Sequence, residues 1–361
     1  MGIFRNDVLG FIPEADWLSV GFNVTRQGDP IDGLFGDEKT DNLVAYWESI
    51  AAEYQIPVMA QFHGFDTEAQ KTFRVPVDTH NIEKGLIKVK INQSERLREI
   101  TRAGVQGDQA IYDYVMNDGM RLAEQVVTRT KVAKNELLAT GKVTIKENDL
   151  DLTVDYGVPS ANLNKSIDVG DGATKDLPTQ LQELVDAALD DGVTLTGMVM
   201  SRKNVTKMRQ NAAIQKAING SASVGVLVRD SALRAYLSEE FGINNIVTND
   251  LTYAIPNGYD ATGRPKVIQK RYFPEDKISF IATNTAGRMG TGLWGNPPEV
   301  DAARAFDQSG NSGVNPFVYI TQWAETDPAV LWTKASSLFM PVLYNPNSLY
   351  VAAVSSTPAQ G

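Results

Sequence analysis

The strongest constraint on this fold is one stretch, Asp108 to Thr140. There Ile111, Val115, Leu122, Val126, Ala133 and Leu137 supply apolar positions whose steps repeat every eleven residues. Eleven residues are close to three helical turns, so these side chains keep one narrow face of a straight helix. Asp108 is placed to act as an N-cap after Gly107, and Gly141 suits the position just past the C-terminus. At about 1.5 Å per residue such a helix reaches about 50 Å. Its opposite face carries Asp113, Asp118, Arg121, Glu124, Arg129, Lys131 and Lys134. It is either a core helix of a large domain or a spine crossing an elongated subunit.

Residues 1 to 55 set single aromatics (Phe4, Phe11, Trp17, Phe22, Phe35, Tyr46, Trp47) between Gly, Pro and Asp turns, with a short apolar helix expected near Asp41 to Tyr54. They read as a loose domain edge or as an arm that places aromatics on a neighbour. From Pro57 to Asn92 the period becomes two. Phe73, Val75 and Val77 form one run, and Ile87, Val89 and Ile91 the other, around a turn-rich stretch from Asp78 to Gly85. The pattern predicts a long hairpin with lysines along one face. An isolated two-stranded ribbon is marginal in water, so it needs a surface to lie on.

Beyond the long helix, Val143 to Lys146 and Leu150 to Tyr156 read as strands, followed by a Gly/Asn/Asp loop. The segment from Gly141 to Asp191 is a solvated acidic surface with a local net charge of −7. An α/β stretch follows. Pro178 opens a helix with Leu181, Leu184, Val185 and Ala188 inward, closed by Gly192. A strand spans Val193 to Met200. A basic helix begins near Arg202, with Val205, Met208 and Ala212 inward and Arg202, Lys203, Lys207, Arg209 and Lys216 outward. A helix from Ser231 to Phe241 and a strand from Asn244 to Thr248 complete one compact subdomain. From Tyr272 strands dominate: Lys277 to Ala282, Phe317 to Ala324 and Leu349 to Val354.

Composition removes whole classes of chemistry. At 361 residues with net charge −10, the chain is badly suited to wrapping DNA by phosphate neutralisation. With no cysteine there are no disulfides, thiolate metal sites or thiol nucleophiles, and any covalent reinforcement needs other chemistry such as a Lys–Asn isopeptide bond. His63 and His80 have no partner at metal-ligand spacing and no nucleophile motif. The sequence predicts no catalytic, metal or cofactor site. Gly290 to Gly295 matches GxGxxG, but Asn296-Pro297-Pro298 follows where a helix must begin, so it reads as a glycine loop between strands. No apolar run suits a membrane span of roughly 20 residues. The N-terminus lacks a secretory pattern, and Asn6 argues against myristoylation at Gly2.

The order of these elements resembles the major capsid proteins of tailed phages, which share the Hong Kong 97 fold. The last third is similar to the phage lambda head-protein group, the major capsid protein E family. The resemblance rests on Phe273-Pro274-Glu275-Asp276 before an apolar strand, Asn284-Thr285 with Arg288, and Asp327-Pro328-Ala329 with Trp332-Thr333. Ser337 and an apolar run to Tyr344-Asn345-Pro346 continue it, as do Glu136 to Lys142 and the helix–strand–helix of Leu181 to Ile218.

The resemblance implies an α+β chain with several parts. Residues 1–55 would be an N-terminal arm, 56–92 an extended loop overlapping a neighbour, and 93–177 a peripheral domain with spine helix 108–140. Residues 178–265 would be an α/β axial domain, 266–335 a return through the peripheral sheet, and 336–361 the last axial strand and tail. It implies intersubunit contacts at Trp17, Phe22, Phe62, Phe65, Phe73, Arg74, Lys88 and Lys90. The partners implied are further copies in hexamers and pentamers, a separate scaffolding protein, a portal and a decoration protein. Double-stranded DNA would be enclosed without sequence-specific binding, with no membrane partner. The location would be the virion, and the host cytoplasm during assembly. An encapsulin-like nanocompartment shell and a soluble enzyme built on 178–265 are the alternatives.

Overall fold

The computed structural model describes residues 28–49, 59–60, 65, 74, 78–93, 107–147, 150–220, 225–260, 262, 264–300, 312–314, 317–327 and 329–357. Before the long helix lie β1 (Phe35–Lys39), β2 (Val44–Ser49), β3 (Asp78–Glu83) and β4 (Gly85–Gln93). The helix itself is α1 (Gly107–Thr140), and β5 (Lys142–Glu147), β6 (Leu150–Asp155), the single turn α2 (Ser160–Leu163) and β7 (Lys165–Asp168) follow it. An α/β run comes next: α3 (Leu177–Asp190), β8 (Gly197–Met200), α4 (Arg202–Gln210), α5 (Ala212–Asn219), α6 (Asp230–Phe241) and β9 (Asn245–Thr248). The rest is β: β10 (Thr252–Tyr259), β11 (Pro265–Arg271), β12 (Lys277–Ile281), β13 (Gly290–Gly295), β14 (Ser312–Val314), β15 (Tyr319–Thr326), β16 (Ala329–Leu343) and β17 (Leu349–Ser355).

The apolar face of α1 is buried as its spacing predicts at Leu122, Val126, Ala133 and Leu137. Gly141, at φ +70°, takes the left-handed conformation that ends the helix. Asp108 lies inside the first turn instead of capping it. The opposite face is only partly wet. Asp118, Lys131 and Lys134 are buried; the 3-10 turn Pro30–Gly33 packs across the C-terminal half of α1 and brings Asp32 to Lys131 and Lys134.

A six-stranded sheet runs β1-β13-β16-β15-β14, with β4 also on β16. A second, five-stranded sheet runs β7-β17-β12-β8-β9. Its two faces sort the chain into two cores. Met198, Met200, Ile278, Phe280, Tyr350 and Ala352 face Leu181, Leu184, Met208, Ile214, Leu233 and Leu237 of the helices. Alternate residues, Val199, Ile281, Leu349 and Val351, join the core under α1. Strands buried on both faces read as apolar runs, which is how they look in the sequence.

Several expectations need correction. Val44–Ser49 is a strand, not part of a helix, because β3 pairs with it from Val44↔Glu83 to Ser49↔Asp78. The stretch expected as a turn, Asp78 to Gly85, therefore holds β3 itself. The strand at Ile87 to Ile91 exists, yet its partner is β16, from Leu331↔Gln93 to Phe339↔Gly85. The expected hairpin is thus anchored on its own subunit along Gly85–Gln93, while most of its other half lies outside the described residues. The strand expected from Val193 shrinks to Gly197–Met200.

The basic helix breaks at Asn211. The Asn211 side chain accepts from the N–H groups of Ala213 and Ile214 at 3.1 and 3.3 Å, starting a new helix. Lys277–Ile281 belongs to the five-stranded sheet beside β8 and β17, so the expected return of 266–335 through the other sheet starts later, at β13.

Gly290–Gly295 is no loop. It is a strand between β1 and β16. A Cβ at Gly290 would stand 2.1 Å from the Val342 carbonyl oxygen, and one at Gly292 2.6 Å from Asp37 Oδ1. The glycines are there for close packing of the strand.

Candidate assembly interface

Two ribbons and one sheet face reach the surface, and the β2–β3 ribbon is held from below by buried polar chemistry. At the root of the β2–β3 ribbon, Lys84 is the single residue between β3 and β4 and is buried. Its Nζ donates to the Thr40 carbonyl at 3.0 Å, to Thr40 Oγ1 at 2.5 Å and to the Trp294 carbonyl at 3.1 Å. Burial pushes its pKa below the usual lysine value. Gly295 leaves room for it, since a Cβ there would lie 3.2 Å from Nζ. Trp47 completes the anchor, stacking between His80 at 5.2 Å and Tyr156 at 5.4 Å.

Beneath, Lys134 pairs with Asp37 at 2.9 Å, and Trp294 Nε1 donates to the same carboxylate at 2.9 Å. Asp29 receives Ile31 N–H, Asn135 Nδ2 and Asn249 Nδ2 at 3.0, 2.9 and 3.0 Å. Burial raises the Asp29 pKa despite these hydrogen bonds. The cluster ties the Pro30–Gly33 turn to α1 and to the end of β9.

The β4–β16–β15 surface carries an aromatic and cationic ladder. Trp323 stacks on Trp332 at 6.1 Å, Lys90 Nζ lies 4.3 Å over the Trp332 ring, and Lys334 lies 5.7 Å over Trp323. Glu299 bridges Lys88 at 3.0 Å and Lys334 at 3.1 Å. Burial pushes the Glu299 carboxyl up, but hydrogen bonds from Lys88 and Lys334 outweigh it and hold the pKa below the usual glutamate value. So the heads of Lys88 and Lys90 engage their own chain, although both residues are exposed. Phe65 and Arg74 are exposed. Trp17, Phe22, Phe62 and Phe73 lie outside the described residues.

Sequence reasoning missed the most prominent surface element, the β10–β11 ribbon. It pairs from Thr252↔Arg271 to Pro256↔Val267 and shifts register before Tyr259↔Pro265. Every residue of β11 is exposed. The Asn257-Gly258 pair lies within β10, at the register shift, and the turn itself is Asp260 to Arg264, where Asp260 and Gly263 were the available signal. Between the ribbon, α1 and β4 lies an open cleft of about 810 Å³, edged by Arg121, Arg129, Glu124 and Tyr253. Among the described residues no group of three or more His, Asp or Glu side chains could hold a metal, and no helix is long and apolar enough to cross a membrane.

Comparison with known proteins gives these surfaces a context. The chain is similar to the capsid protein of a prophage of E. coli CFT073, described as putative, at 13% identity and TM-score 0.55, covering 96% of this chain and 99% of that one. It is also similar to a phage-related protein from Bordetella bronchiseptica RB50, at 10% identity and TM-score 0.52, covering 95% and 97%. No curated protein matches the sequence. These likenesses give the Hong Kong 97-type capsid fold. Residues 64–354 match the family described as phage major capsid protein E. The chain therefore belongs to the phage major capsid protein E family, whose members are structural proteins that form the shell of the virion.

Proposed function

We propose that this protein builds an icosahedral phage head from hexamers and pentamers, enclosing double-stranded DNA, and that it does so without catalysis. In this reading a separate scaffolding protein guides assembly in the host cytoplasm, and a portal and a decoration protein complete the head. The arm (1–55), the overlapping loop (56–92), the spine helix and the axial subdomain act as parts of one shell subunit. Phe65, Arg74, Lys88 and Lys90 meet neighbouring copies, and the arm and loop aromatics Trp17, Phe22, Phe62 and Phe73 share that role.

The observation that carries this reading is the β10–β11 ribbon. A strand exposed along its whole length gains little from its own chain and is marginal until something covers it. Copies of the same chain are the surface available in a shell, through head-to-tail contacts that close into rings. Expression alone and with a scaffolding protein, followed by negative-stain microscopy and sedimentation, tests it. Closed shells are expected. A protein that remains a stable monomer at every salt concentration and with scaffold present overturns the reading.

A further inference from the structure

The β10–β11 ribbon presents an unusual mixture of side chains to solvent. Tyr259, Val267 and Ile268 are 74%, 62% and 45% exposed. Arg271 is committed, to Asp250 at 3.4 Å and Glu275 at 2.7 Å. The one ribbon acid, Asp260, is used by its own turn, accepting from the N–H groups of Thr262 and Arg264. Arg264, Lys266 and Lys270 make no side-chain ion pair among the described residues. The ribbon thus offers three free cations interleaved with apolar surface, at a reach of about 26 Å for eight residues of strand.

The complementary surface is on the other side of the same subdomain. Helix α3 buries Leu181, Leu184, Val185 and Ala188 and turns Glu183, Asp186 and Asp190 outward, with no basic residue of its own. Leu189, 51% exposed, sits among these acids. Glu183 is paired with Lys175, whereas Asp176 and Asp190 have no ion pair among the described residues.

The two surfaces leave the five-stranded sheet from opposite edges. The ribbon departs directly after β9, one edge strand. Helix α3 is bound to β7, the other edge: Gln180 accepts from the Asp168 N–H at 2.8 Å and donates to its carbonyl at 3.1 Å. A surface on one edge cannot meet its complement on the far edge of the same copy, but it can meet that of the next. Such a contact is heterologous, and repeated rotation closes it into a ring.

We infer that the β10–β11 ribbon of one copy docks on the acidic outer face of α3 of the adjacent copy around a capsomer. The inference rests on the shell-forming reading and names the surfaces that join copies within a ring. Ile268 meets the apolar patch at Leu189, while Arg264, Lys266 and Lys270, on the same face of the ribbon as Ile268, face Asp176, Asp186 and Asp190. Charge complementarity sets the register and the rate of encounter, and the apolar residues supply burial. The rival partner for a cationic ribbon is nucleic acid. The interleaved apolar side chains favour protein, because phosphate contacts do not use them.

The test uses the full chain. The triple change Arg264→Glu, Lys266→Glu and Lys270→Glu is expected to lower particle yield by sedimentation about tenfold while circular dichroism stays that of wild type. Adding Asp176→Lys, Asp186→Lys and Asp190→Lys returns the yield to within about threefold of wild type. Because the chain has no cysteine, Ile268→Cys with Leu189→Cys can be joined by a bis-maleimide of about 10 Å, within side-chain reach of a docked pair. Assembled particles should then give a ladder ending at the copy number of one ring, and single-cysteine particles only monomer.

Assembled particles that give no ladder overturn the docking surface alone. A triple variant that assembles normally but encloses less DNA overturns it in favour of nucleic acid. A wild-type chain that never assembles overturns the shell reading, and this interface with it.

Discussion

Strands β11 and β12 are near neighbours in the chain and opposites in the fold. Pro265–Arg271 is exposed at every position, while Lys277–Ile281 is buried from its second residue on. Val267 and Ile268 are as apt for a strand as Ile278 and Phe280, so intrinsic preference does not separate them. Their neighbours do. β12 lies between β8 and β17, with a core on each face, whereas β11 has β10 alone. Strand-forming residues can therefore serve either the inside of one molecule or the seam between two.

The contrast can be broken most decisively at Phe280, fully buried at the centre of the five-stranded sheet. Phe280→Ala is expected to cost about 3–5 kcal/mol in urea unfolding of the unassembled subunit. A loss under about 1 kcal/mol would mean that the sheet is not the rigid half of the comparison.

Next comes the buried junction at Asp29. Asp29→Ala removes the acceptor of Ile31 N–H and one of the two acceptors of each of the Asn135 and Asn249 amides, which keep the Lys131 carbonyl and Asn135 Oδ1, and should cost about 1–3 kcal/mol, read from the same unfolding curves.

A smaller effect is expected at Glu299. Its folded pKa lies below the ordinary value of 4.5, so its contribution is complete above that pH and is lost as pH falls through the folded value. Glu299→Gln should flatten this acid limb, by under about 1 kcal/mol in thermal melts taken from pH 6 downward.

Smallest of all is Val267→Ala, expected within about 0.5 kcal/mol of wild type in the isolated subunit. A cost near that of Phe280→Ala would show the ribbon to be packed within its own chain after all.

What could be read from the sequence follows the same division. Helix α1 was legible because its signal is local: one periodic face, closed by Gly141. The helices at Leu177–Asp190 and Asp230–Phe241 were legible for the same reason. Strand β16 was not, because it is buried on both faces and its run of Ala335, Ser336, Ser337, Leu338 and Phe339 has no alternation to detect. The β10–β11 ribbon was hidden by the reverse condition, exposure on both faces, with Pro256 and Pro265 lowering its strand character further.

Val44–Ser49 was misread because Val44, Trp47 and neighbouring apolar residues fit a helical spacing, and only pairing with β3 decides for a strand. Of the proposed contact residues, Lys88 and Lys90 were legible as the outward face of β4. The glutamate and tryptophan that hold their heads come from more than 200 residues away in sequence and leave no local trace.

The C-terminus of α1 is finished by the five-stranded sheet and not by water. Ser279 Oγ donates to the Leu138 carbonyl at 2.6 Å, and Lys277 Nζ donates to the Ala139 carbonyl at 2.9 Å. Tilting one half of the molecule against the other would strip these carbonyls of their donors inside the protein, where no solvent stands ready to replace them. Any change of angle between the long helix and this sheet therefore costs hydrogen bonds worth about 1 kcal/mol each, a resistance that bending the subunit into a curved container would have to overcome.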